Sequence, residues 1–150
     1  MKKFSFPLRA ALKYRQHRRD MCRLLLAEVL ADLQKLDEDR ASLVEHQDRQ
    51  AAEIRTIGQA GTVDVDAAAS RRFHIARLSM EISLVDQRRE MVGQQLELCR
   101  QALTIADQEV KALEKLEARR RKDHDQQLER ERALELEDTW LAAHGREFAK

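Results

Sequence analysis

Histidine and cysteine are the residues best suited to bind a metal ion or to attack a substrate, and in this chain they are scattered. No histidine has a second His or Cys three or four residues away, the spacing that places two ligands on one helix face. The five histidines are His17, His46, His74, His124 and His144. The two cysteines, Cys22 and Cys99, lack the paired spacing of a zinc site, and their small number is typical of a reducing compartment. We therefore predict no metal and no cofactor.

Carboxylates are abundant, with 27 Asp and Glu residues. Acid–base catalysis would require an enclosed pocket that shifts the pKa values of two of them apart. The glycines do not form a phosphate-binding loop either, since Gly58 and Gly61 are followed by Thr-Val-Asp and lack the lysine of that motif. Whether any chemistry is feasible thus depends on the elements that carry these residues.

The composition is typical of long helices. Charged residues make up 37% of the chain, aromatic residues 4%, and there are only four glycines and one proline. Apolar residues recur in alternating steps of four and three from Leu8 to Ile57, which is the heptad pattern of a coiled coil. With Pro7 in the first turn and Ser5 as its cap, we predict a first helix over about 6–57. A two-helix rod has no pocket, so the chain is not expected to be an enzyme.

A turn is predicted at 58–66, where two glycines interrupt the pattern and Asp64 or Asp66 offers an N-cap. A second seam then runs from Ile75 to Leu113, in a helix predicted over about 67–143. Two seams of the same period joined by a short linker predict an all-α, antiparallel coiled-coil hairpin that forms a single unit over 1–150.

The two helices differ in predicted length, which leaves an overhang. In the predicted register, Leu8 lies across from about residue 115, and the seam loses its apolar residues beyond that point. Residues 117–150 should therefore extend beyond the hairpin as a C-terminal helix rich in both charges. Such a segment is suited to being held by another protein, although a solvated tail is the alternative.

Two further features bear on partners. Residues 1–23 carry eight Lys and Arg residues against the single acid Asp20, which makes a basic arm. Phe73 lies near the predicted turn but off the seam, so it is either an exposed anchor or a cap on the end of the core. Trp140 belongs to an apolar cluster near the C-terminus that has no predicted partner within the chain.

In combination, three stretches resemble the flagellar export protein FliJ family. They are Phe4-Ser5-Phe6 followed by Leu8, Leu12 and Arg15; Phe73 at the opening of the second helix; and residues 110–117, Val-Lys-Ala-Leu-Glu-Lys-Leu-Glu. The resemblance covers nearly the whole chain. It implies a coiled-coil stalk, similar to the shaft of the rotary ATPase gamma subunit, in the flagellar type III export apparatus that serves motility.

The resemblance also implies partners and a location. These partners are an export ATPase (FliI-like), its regulator (FliH-like), a gate protein (FlhA-like) and export chaperones, met in the cytoplasm at the inner membrane. Phe73 matches an aromatic residue on the gate-binding surface of the family, whereas Arg77, Met80 and Leu84 depart from that pattern, so only Phe73 carries over. The residues expected at the ATPase end are Phe4, Phe6, Arg9, Arg15, Arg119, Arg120 and Trp140.

Two other functions remain open from the sequence. A generic cytosolic coiled-coil adaptor or spacer would show the same seams and would differ in forming a dimer. A nucleic-acid-binding arm would use residues 1–23, but aromatic residues are sparse and the net charge is +1, so we expect no nucleic-acid partner. We also predict no transmembrane segment, since no apolar run approaches the length of a membrane span.

Overall fold

A computed structural model describes residues 3–59, 61–62 and 64–145, and nearly all of them are helical. Helix α1 spans Arg9–Gln59 and helix α2 spans Val65–His144. Contacts between residues group the chain into two compact units. The terminal unit contains the residues through Asp20 and those from Ile105 onward, and the loop unit contains Met21–Thr104.

The two helices pack against each other in both units, as the predicted antiparallel hairpin requires. Every predicted seam position from Leu12 to Ile57 and from Ile75 to Leu113 is buried or half-buried. In the loop unit, Gln47 Nε2 donates a hydrogen bond to Ser79 Oγ at 2.6 Å across the seam. Periodic apolar residues thus place one face of each helix against the other, as heptads do.

Helix α1 begins three residues later than predicted, at Arg9. A residue that precedes proline is disfavoured in the α region, so Phe6 before Pro7 is a poor helix residue. Instead Pro7 and Leu8 form a turn, in which the Arg9 amide donates to the Phe6 carbonyl at 3.2 Å. Residues 3–6 therefore run beside α2 outside the helix, and Phe6 is turned inward with 3% of its surface exposed.

The loop between the helices is short. Gly61 adopts a φ of 77°, a backbone conformation that favours glycine. Of the two aspartates predicted as caps, Asp64 has that role, since the Ala67 amide donates to its Oδ1 at 3.1 Å. Asp66 lies in the first turn of α2, where its charge favours the positive end of the helix dipole. Two loop positions, 60 and 63, lie outside the described residues.

The prediction that the chain has no internal partner from residue 117 onward is wrong for residues 117–124. Arg9 reaches Glu117, and the Phe4 ring contacts His124 with ring centroids 5.6 Å apart. The non-helical segment before Arg9 runs on along α2 and so supplies contacts that a helix-only register omits. All residues from 129 to 145 are exposed, and the remainder of the predicted overhang, 146–150, lies outside the described residues. Within the described residues, no helix is long and apolar enough to span a membrane.

Candidate partner-binding surfaces

The N-terminal aromatic residues have two different environments. Phe6 packs with Leu12 and Val110 in a buried apolar cluster, and Val110 is fully buried. Phe4 is half-buried at the margin of this cluster, between the His124 ring and the Arg121 guanidinium, whose carbon lies 5.6 Å from the ring centroid. A cation over an aromatic face is attracted by the ring quadrupole. Phe6 thus offers a partner almost no surface, whereas Phe4 is only half-buried.

The predicted basic residues of the terminal unit are partly engaged within the chain. Arg15 Nη1 lies 2.8 Å from Glu109 Oε2, and Arg9 Nη2 lies 3.4 Å from Glu117 Oε1. Arg9 keeps 60% of its side chain exposed. Arg119 and Arg120 on α2 are exposed. Exposed ion pairs contribute little to stability, so these arginines are accessible to an acidic partner at small cost.

The last turns of α2 carry a set of exposed apolar side chains, which we call the C-terminal apolar set. Its members are Leu134, Leu136, Trp140 and Leu141, which are 55–70% exposed. The Trp140 ring stacks on the His144 ring with centroids 4.8 Å apart. Amphipathic aromatic residues at such positions are common anchors at protein interfaces.

Phe73 is exposed, with 75% of its surface accessible, and therefore does not cap the core. It begins a line of apolar residues on α2 at spacings of seven, four, seven and seven, which keep to one side of a straight helix because the helix repeats every 3.6 residues. We call this line the outer stripe: Phe73, Met80, Leu84, Met91 and Leu98, with 59–75% exposure. A groove of 630 Å³ between α1 and α2 is lined in part by Leu84 and Met91.

Charged residues form a layer across the seam of the loop unit, which we call the Asp–Arg quartet: Asp37, Arg40, Asp86 and Arg89. Arg40 Nε lies 2.6 Å from Asp86 Oδ1, and Arg89 Nε lies 2.5 Å from Asp37 Oδ1. The hydrogen bond from Arg40 lowers the pKa of the Asp86 carboxyl, and the same hydrogen bond raises the pKa of Arg40. Both arginines occupy predicted seam positions, so the quartet neutralises charge that would otherwise face the partner helix alone.

Comparison with known protein families supplies the identity of the chain. The family model of the flagellar FliJ protein matches residues 4–139. The chain belongs to the flagellar FliJ protein family. Membership supports a role for the chain as a component of flagellar protein export, and the family is a non-catalytic component of that process. Comparisons with curated proteins and with solved structures found no match.

The matched region contains every residue that the sequence singled out for partner binding except Trp140, which follows it. The structure separates these residues, with Phe73 in the loop unit and the others in the terminal unit. Sequence reasoning missed the outer stripe beyond Phe73, although the seven-four-seven-seven spacing was present. It also missed the quartet, whose signal is an Asp three residues before an Arg on each helix.

Proposed function

We propose that the protein couples the flagellar export ATPase to the export gate, as a coiled-coil stalk with one partner-binding surface in each unit. The observation that carries this proposal is the exposed outer stripe headed by Phe73. Soluble monomers rarely leave long apolar lines open to water, and such lines typically mark protein interfaces. Family membership supports flagellar export as the setting.

The gate protein is proposed to bind the outer stripe. Phe73 matches the aromatic residue of the family's gate surface, and Met80 and Leu84 continue from it along the same side of α2. The outer stripe, from Phe73 to Leu98, gives the gate an apolar ridge, and flexible methionines suit a surface that adapts to its partner.

The ATPase ring, with its regulator, is proposed to bind the terminal unit. Residues 129–145 leave the C-terminal apolar set open, and Arg119 and Arg120 add exposed positive charge. We propose that this part of α2 overhangs the hairpin and that the ATPase packs against it. Escort of export chaperones and a cytoplasmic location at the inner membrane belong to the same proposal.

The experiment compares two substitutions in pull-down and affinity measurements with the purified gate and ATPase subunits. Phe73→Ala should weaken gate binding by about tenfold or more, the loss expected for an aromatic anchor, and leave ATPase binding unchanged. Trp140→Ala should do the reverse. Leu24→Ala is the matched control, because Leu24 is a large apolar residue of α1 with 60% exposure that belongs neither to the outer stripe nor to the terminal unit.

A chain that ends at residue 129 is a second test of ATPase binding. It lacks the C-terminal apolar set but keeps Arg121 and His124, which contact Phe4. This chain should remain helical and bind the gate, but not the ATPase. Equal affinities of all variants for both partners would refute the proposal and favour a generic coiled-coil spacer. A stable parallel dimer in sedimentation would favour that alternative as well.

A further inference from the structure

Two histidines from different helices meet in the loop unit. His46 of α1 and His74 of α2 have ring centroids 5.1 Å apart, with an angle of 68° between the ring planes. Both side chains are half-buried, so water and ions reach them. The pair is separated by 28 residues in sequence, and only the packing of the two helices brings it together.

Cross-helix contacts on both sides hold the backbones of this pair in place. On one side, Gln47 donates to Ser79 Oγ at 2.6 Å. On the other, Arg71 pairs with Glu53 and donates to Gln50 Oε1 at 3.3 Å. Because the surrounding structure already fixes the two helices, a ligand that joins the rings has little conformational entropy to overcome.

The ring nitrogens of this pair are free to take a ligand. Among residues 3–59, 61–62 and 64–145, neither His46 nor His74 forms a hydrogen bond with another side chain or with the backbone. The χ2 torsion of histidine is broad, so each ring turns without movement of the backbone. Arg71, three residues before His74 on α2, is paired with Glu53. A cavity of 430 Å³ beside His74 leaves room for water molecules.

We propose that His46 and His74 together bind one divalent transition-metal ion such as Zn²⁺. Imidazole nitrogens bind Zn²⁺ at about 2.0–2.1 Å, and two such rings on one tetrahedral ion have centroids about 5 Å apart. The described residues contain no group of three or more His, Cys, Asp or Glu able to hold a metal, so water completes the coordination. Mg²⁺ and Ca²⁺ prefer oxygen ligands and do not bind here.

Such an ion would join α1 to α2 next to Phe73, the first residue of the outer stripe. A ligand that binds the folded state but not the unfolded state stabilises the fold in proportion to the logarithm of its concentration. The ion therefore raises the stability of the loop unit.

The test uses the full chain with Cys22→Ser and Cys99→Ser, which removes the thiols as competing zinc ligands. Titration calorimetry with ZnCl₂ should show saturable binding of one ion per chain, and Zn²⁺ should raise the Tm. His46→Ala and His74→Ala should each weaken binding by more than about tenfold, since even the loss of an outer-shell partner has that effect. There are two controls. His17→Ala should bind zinc as tightly as the thiol-free parent, and titration of that parent with MgCl₂ should show no binding.

A double variant, His46→Phe with His74→Phe, separates metal binding from ring packing. It keeps an edge-to-face aromatic contact but has no ligand nitrogen. This double variant should retain its helicity without zinc and show no zinc-dependent rise in Tm. His46→Gln, which removes the ring, provides a second variant. Zinc binding that survives His46→Ala or His74→Ala, or the absence of saturable binding in the thiol-free chain, would show that the histidines serve packing alone.

Discussion

In the terminal unit an apolar cluster around Phe6 holds α2 against the N-terminal segment, whereas in the loop unit the Asp–Arg quartet lies across the seam. The buried residues reflect this difference. Among the described residues, the terminal unit buries Phe6, Leu12, Ala106 and Val110, and the loop unit, although longer, buries Leu78 and Leu96. Both units have ion pairs between the helices, but the terminal unit buries more apolar side chains, whereas the quartet places four charged residues across the seam of the loop unit.

The comparison shows that different contacts in a two-helix structure contribute to its stability and to the choice of one register between the helices. Apolar contacts stabilise in proportion to the area they remove from water, but they tolerate sliding between registers. Charged pairs contribute little net free energy, but they fix one register because a shifted register leaves charges unpaired. We therefore expect substitutions in the terminal unit to change stability and substitutions in the quartet to change register.

The largest effect is expected from Phe6→Ala in the terminal unit. Truncating a buried phenylalanine costs about 3–5 kcal/mol through lost burial and the cavity that remains. Amide hydrogen exchange should show loss of protection around Leu12 and Val110, with protection in the loop unit retained. Phe73→Ala removes a ring of the same size that is 75% exposed, and it should stay within about 0.5 kcal/mol of the parent. Equal losses from the two variants would contradict the assignment of Phe6 to the core.

A smaller effect is expected from charge reversal in the quartet. Asp86→Arg places a third positive charge beside Arg40 and Arg89, so the Tm should fall, and added NaCl should reduce the loss through screening. The swap of Arg40→Asp with Asp86→Arg restores the cross-helix pair and should recover part of the Tm. Recovery is incomplete because residue 86 then repels Arg89, three residues away on α2. A double variant no more stable than Asp86→Arg alone would show that residues 40 and 86 do not interact across the seam.

The smallest effect is a dependence of stability on pH. Because the pKa of Asp86 is lower in the folded chain than in the unfolded chain, its ion pair stabilises the fold above its ordinary pKa. That stabilisation is lost as the pH falls through the lowered pKa of the folded state. The Tm difference between the parent chain and Asp86→Asn should be constant near neutral pH and should shrink below about pH 4.

Asp39→Asn is the matched control for the pH series, since Asp39 is exposed and forms no ion pair with any residue in the described ranges. Its Tm difference from the parent should be small throughout. A difference for Asp86→Asn that stays the same from pH 7 to pH 3 would mean that Asp86 and Arg40 do not interact in solution.

Much of the fold could be predicted from the sequence because helices and their seams are local patterns. The alternation of four and three from Leu12 to Ile57 determines which face of α1 is buried, and the two glycines after Ile57 mark where the chain turns. The start of α1 at Arg9 follows from the restriction that Pro7 places on Phe6, which is a local signal, whereas the burial of Phe6 against Val110 joins residues more than 100 positions apart. Local spacing has no information about that contact.

The candidate surfaces divide in the same way. Phe73 could be singled out because it lies off the seam, but only the structure, in which 75% of its surface is exposed, decided between an exposed anchor and a cap on the core. Phe6 could not be told apart from Phe4 by sequence, since both are aromatic residues beside a proline-containing turn, yet one is buried and the other is half-exposed. The exposure of each depends on how the segment before Arg9 lies along α2.

By itself, the sequence determined two antiparallel helices, their seams and the family, since these rest on residue spacing within one helix and on short motifs. The position of the turn also predicted an approximate register, but only the tertiary structure decided which individual side chains of α1 contact which side chains of α2. The scattered histidines illustrate the difference: no spacing within either helix joins them, but antiparallel packing brings His46 to His74. The register of the two helices, which pairs residues far apart in the chain, is the physical reason.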